Sequence, residues 1–176
     1  MAGAAAPSTG ASSGGMGFML RAFRYRNYRL FFGGQVVSLI GTWINLTATG
    51  WLVYRLTGSA FLLGVIGFAS QFPAFILAPF AGIYVDRWNR HRLLVGTQIA
   101  SMLISFALAG LTLTDSISIP WLIVVSVCSG IVTAFDMPAR QAFVSVLVED
   151  KRDLGNAIAL NSSMFNAARL VGPSIA

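Results

Sequence analysis

The chain has 176 residues, of which 56% are hydrophobic and only 10% charged, with a mean hydropathy of +0.73. An ordinary soluble domain carries about 25% charged residues, and one core of this size could not hide so much apolar surface. The formal net charge of +6 argues for nucleic acid only if the basic residues form a patch. Here they lie in short segments between long apolar blocks, so the expected partner is a lipid bilayer, with no nucleic acid.

Residues 1–20, rich in Ala, Gly and Ser, form a low-complexity tail expected to be disordered. The tail lacks the basic start and apolar middle of a cleaved signal peptide. Residues 21–29, Arg21-Ala-Phe-Arg-Tyr-Arg-Asn-Tyr-Arg29, form a basic juxtamembrane segment whose rings and cations suit the headgroup layer. The rest, 30–176, reads as an all-α bundle of about five transmembrane helices.

The first apolar block runs from Leu30 to Tyr54 and the second from Phe61 to Tyr84, joined by a link around Thr57-Gly58-Ser59. Pro73 and Pro79 fall inside the second block, which membrane helices tolerate because neighbours satisfy the freed carbonyls. A charged turn, Asp86 to Arg92, leads to a third block from Leu93 to Leu113. A fourth runs from Pro120 to Phe135, followed by a polar, amphipathic connection from Asp136 to Asp153. A fifth span starts near Leu154 to Asn156 and continues to Ala176, where the lack of a polar cap suggests a truncated bundle.

Arg21, Arg24, Arg26, Arg29, Arg87, Arg90, Arg92, Arg140, Lys151 and Arg152 all fall on the tail side and on alternate links. The first and third links hold Arg55 alone. Lysine and arginine concentrate in cytoplasmic loops, so the N-terminus is expected in the cytosol of a multi-pass protein of the inner (plasma) membrane.

Polar side chains inside a span are costly unless they face protein or water. Gln35, Ser38, Thr42, Asn45 and Thr49 recur at steps of three and four and share one helix face. That face could line an aqueous cavity, or it could hydrogen-bond a neighbouring span. The fifth span carries a similar row, Ser162, Asn166, Arg169 and Pro173. Arg169 is a cation well inside an apolar block and needs an anion, carbonyls or water. Gly33, Gly34, Gly41, Gly64 and Gly67 are candidates for close helix approach. Cys128 stands alone in an apolar run and reads as a packed small residue. No paired carboxylates, nucleophile–base pair or metal-ligand cluster is visible, so no enzyme, cofactor or metal is expected.

The run Gly82-Ile-Tyr-Val-Asp86-Arg87-Trp-Asn-Arg90-His-Arg92 resembles the signature loop between spans two and three of the major facilitator superfamily. Tyr84, Asn89 and His91 depart from its commonest form. Three further stretches, Phe135 to Phe143 with Pro138 and Arg140, Asn156 to Ser163, and Arg169-Leu-Val-Gly172-Pro173, are similar to the exporter branch that includes enterobactin-type siderophore and macrolide efflux proteins. Gly172 and Pro173 also resemble the start of the fifth-helix antiporter motif, although Ala168 replaces its earlier glycine.

The resemblance implies an incomplete six-helix half of a secondary transporter, working by alternating access against a missing C-terminal half. It implies efflux of a small amphipathic molecule (drug, siderophore or metabolite), with the proton as coupling ion. Nutrient uptake by the same fold, or a chain that transports nothing by itself, are the alternatives. Gly82, Asp86, Arg87, Arg90, Arg92, Asp136 and Arg140 would form the gate. Gly82 would admit a close neighbour, Asp86 would meet a helix N-terminus of the other half, and Arg90 would pair with Asp136.

Overall fold

A computed structural model describes residues 21–148 and 151–176. The expected tail at 1–20 lies outside these. A short 3-10 turn, Arg21–Arg24, precedes five helices: α1 Arg26–Thr57, α2 Ala60–Arg87, α3 Arg90–Leu113, α4 Ile119–Leu147 and α5 Lys151–Ile175. The fold is an all-helical membrane bundle. Four helices, α1 to α4, are long and apolar enough to cross a bilayer. α5 is comparable in length, but Asn156, Asn161, Ser162, Ser163, Asn166 and Arg169 make it more polar than the others.

The outer surface is apolar. Phe75 is 81% exposed and Phe61 78%, an arrangement that water would penalise and lipid tails accept.

The turns follow from local chemistry. α1 stops at Gly58, whose φ of 60° suits the left-handed cap that glycine adopts without strain, and its N–H closes on the Tyr54 carbonyl. Ser59 then caps α2 by accepting from the Leu62 N–H at 3.4 Å, and Asn89 caps α3 by accepting from Arg92 at 3.1 Å. Only Trp88 and Asn89 separate α2 from α3. The charged turn is therefore mostly helical: Asp86 and Arg87 close α2, while Arg90, His91 and Arg92 open α3.

The polar connection expected at Asp136 to Asp153 is instead largely helix, because α4 continues through Pro138 to Leu147. The reason is a buried and half-buried face, Asp136, Ala139, Arg140, Phe143, Val144 and Leu147, that keeps steps of three and four past the apolar block. Tyr28 of α1 and Ala157 of α5 close over its end, with the Tyr28 hydroxyl donating to the Ala157 carbonyl at 3.2 Å.

α2 packs most extensively on α4, α3 on α4, and α1 on α5. The first seam depends on Gly130, where a Cβ would collide with the backbone carbonyl of Ser70. The α1–α5 seam depends on Gly172, where a Cβ would strike Trp43 and the Ile40 carbonyl. The glycines expected to serve close approach, Gly33, Gly34, Gly41, Gly64 and Gly67, have open space around them, as does Gly82. Spacing within one helix does not reveal which glycine faces a partner backbone.

Gly130→Ala is expected to destabilise the bundle by about 1–3 kcal/mol through overpacking. Gly67→Ala should be neutral or slightly stabilising, since alanine is the better helix former. Thermal unfolding of both variants in detergent checks the contrast; equal midpoints would refute the α2–α4 seam.

Candidate functional site

Asp136 is the centre of a polar relay that ties three helices together. It is buried, at 9% exposure, where an uncompensated carboxylate would be expensive. Its Oδ2 pairs with the guanidinium of Arg140, one turn further along α4. Its Oδ1 accepts from the Thr97 hydroxyl at 2.8 Å and from Gln98 Nε2 at 2.9 Å, both on α3. Gln98 Oε1 in turn accepts from the Ser38 hydroxyl of α1 at 2.6 Å. The expected Arg90–Asp136 pair is absent: Arg140 takes that place because continuous helix puts it four residues away on the same face.

The polar face of α1 is directed largely at α3. Asn45 donates to Ser105 at 2.8 Å, and Thr49 donates to Asn45 Oδ1 at 3.2 Å. Thr42 donates to the Ser38 carbonyl in its own helix. Thr97, Gln98 and Ser105 escaped the sequence reading, although Gln98, Ser101 and Ser105 repeat the three-and-four spacing used for α1.

Beside this relay lies a cavity of about 670 Å³, a size typical of small-molecule sites. Gln35 and Gln98 supply its central amides, Asn27 and His91 stand toward the ends of α1 and α3, and Leu94 and Phe143 provide apolar wall. Gln35 is buried, at 4% exposure, and among the described residues its Oε1 has no hydrogen-bond partner. Such an acceptor costs about 1–3 kcal/mol until something donates to it.

The arginine-rich junction flanks the same end of the bundle. Asp86, Arg87 and Arg92 are exposed and Arg90 half-buried. Asp86 sits in the last turn of α2, and Arg90 and Arg92 in the first turn of α3. Each of these three charges has the wrong sign for its local helix dipole, a penalty of about 0.3–1 kcal/mol apiece. Among the described residues Asp86 forms no ion pair.

Arg169 and Asn166 lie on exposed α5 positions away from the main cavity. Asn166 donates to the Ser162 carbonyl of its own helix. The Arg169 guanidinium lies over the Trp43 ring at 5.7 Å. Trp43 is close to the middle of α1, whose midpoint falls between Gly41 and Thr42, so Arg169 is held deep in the span. A cation–π contact of this kind contributes about 0.5–1 kcal/mol at an exposed site. Central arginine insertion costs about 2.5–3.5 kcal/mol, so the ring alone does not offset it. A smaller apolar pocket of about 390 Å³ runs along the other flank of the α1–α5 seam, lined by Val36, Ile40, Ala167 and Val171. Gly172 forms the seam contact described above, and Pro173 lies exposed in the last turn of α5.

Gln98→Leu removes both the donor to Asp136 and the acceptor for Ser38. It should cost about 1–3 kcal/mol in detergent melts. Ser38→Ala should cost about 1 kcal/mol or less, because Gln98 keeps its bond to Asp136. The reverse order would contradict a relay centred on Asp136.

The family model described as "Transmembrane secretion effector" matches residues 19–176. The staphyloferrin A transporter of Staphylococcus aureus is 31% identical over 149 residues, covering 84% of this chain and 37% of the relative. Macrolide efflux protein A of Streptococcus pyogenes is 29% identical over 160 residues, covering 87% of this chain and 38% of the relative. The chain thus spans a little over a third of the length of these curated relatives. No solved structure matches it. With its helical membrane bundle and a family match running from residue 19 to residue 176, the chain belongs to the transmembrane secretion effector family of the major facilitator superfamily.

Proposed function

We propose that this chain is the N-terminal part of a secondary transporter that exports a small amphipathic molecule by alternating access, with the proton as coupling ion. The observation that carries this reading is the mostly apolar cavity between α1 and α3, with the amide residues Gln35 and Gln98 in its lining. An amphipathic molecule suits such a lining, with its polar group toward Gln35 and Gln98 and an apolar body along Leu94 and Phe143. The names of the relatives, a siderophore transporter and a macrolide efflux protein, support a substrate of that kind. The relatives' greater length supports a second bundle as the opposing wall, giving two bodies that rock about a midplane site.

The α2–α3 junction supplies the gate. Asp86, Arg90 and Arg92 are each disfavoured by their own helix and exposed to an incoming partner. A helix N-terminus approaching Asp86 would find the carboxylate it favours. Gly82, Arg87 and the Asp136–Arg140 pair complete this end, while Gly172 and Pro173 shape the α1–α5 seam. The concentration of arginine at this end supports a cytosolic side for it, in a multi-pass protein of the inner membrane.

In vesicles carrying the complete polypeptide, Asp86→Asn should lower gradient-driven efflux at least tenfold with protein level unchanged and melting no lower, and an uncoupler should abolish efflux. Unaltered efflux in the variant would remove Asp86 from the gate. Orientation is tested separately with Asn89→Cys in a Cys128→Ala background. An impermeant maleimide should label inside-out vesicles and leave right-side-out ones unmodified; the opposite pattern would invert the topology.

A further inference from the structure

Among the described residues the one ion pair joins Arg140 to Asp136, and Arg169 donates no hydrogen bond. What positions it is an aromatic ring. Trp43 is locked from two sides: Phe165 packs edge-on at 5.7 Å, and Gly172 brings the α5 backbone against the Trp43 Cβ. The ring face attracts the cation but satisfies none of the five guanidinium N–H donors. Arg169 is therefore held in place with its donors uncommitted, and its side chain is exposed.

A planar guanidinium with free donors matches a carboxylate through two parallel N–H···O bonds. A phosphate dianion would call for further cations, and Arg169 is the cation of this part of the seam: Ser162, Asn166 and Pro173 are its neighbours on the same side of α5. We propose that Arg169, preorganised on Trp43, is the docking point for the carboxylate of an amphipathic anionic substrate. This rests on the transport reading above and adds a second contact point, separate from the cavity at Gln35 and Leu94, together with the substrate class. The apolar body of such a molecule is not assigned to the pocket at Val36 and Ala167, which opens on the opposite flank of the seam.

Trp43 provides its own reporter. In the complete polypeptide with Trp43 as sole tryptophan, phenylacetate should shift the emission saturably, and phenylacetamide, its neutral isostere, at least tenfold more weakly. Arg169→Gln should bring the acid down to the affinity of the amide, and Arg169→Lys should keep part of the preference because it restores charge without the planar fork. Equal binding of acid and amide, or an acid preference that survives Arg169→Gln, would overturn the proposal. So would Arg169→Gln failing to fold and being rescued by neutralising an acid elsewhere in the polypeptide, which would reveal a structural ion pair. Vesicle efflux measured on the same preparations separates the two readings. If the unsubstituted protein shows no gradient-driven efflux but still prefers the acid, transport falls and the carboxylate site stands.

Discussion

In a bilayer the hydrophobic effect no longer pulls helices together, because lipid tails are as apolar as the side chains they contact. Association then depends on how closely two backbones approach. In this bundle Gly130 and Gly172 permit that approach: one lets α4 meet the Ser70 carbonyl of α2, the other lets α5 meet Trp43 and Ile40 of α1. Everything else is arranged around these two seams. Large apolar residues such as Phe61 and Phe75 can then face outward, since burying them would gain little.

The α1–α3 contact is of another kind. It is made by side-chain hydrogen bonds, Ser38 to Gln98 and Asn45 to Ser105, beside an open cavity. Such bonds contribute on average about 0.6 kcal/mol within membranes, so they are easily exchanged for bonds to water or to a bound molecule. Dispersion at a glycine seam has no such substitute. The bundle thus combines two rigid seams with one exchangeable polar contact, and the cavity lies along the exchangeable one.

The charged groups divide in the same way. Asp136 and Arg140 are buried or half-buried and mutually compensated, which makes them part of the scaffold. Asp86 and Arg92 are exposed, and they sit at helix ends that disfavour their charge. Neither arrangement follows from residue type. A carboxylate at a helix C-terminus costs stability whatever its role.

Composition and block length alone determined that the chain is a helical membrane bundle, because a bilayer leaves a backbone few ways to satisfy its hydrogen bonds. The four spans α1 to α4 lie within a few residues of their apolar blocks, except where α4 runs on past Phe135. That extension was illegible because Asp136 and Arg140 read as part of a polar, amphipathic connection, while their mutual pairing and the Val144–Tyr28 contact hold the segment as a continuation of α4. Spacing also identified the polar face of α1 and the exceptional Arg169. Only the tertiary structure decided what they meet: α3 for Ser38 and Asn45, the Trp43 ring for Arg169, and Arg140 in place of Arg90 for Asp136. The physical reason is that periodicity specifies a direction around one helix axis, whereas the partner in that direction depends on how the axes pack.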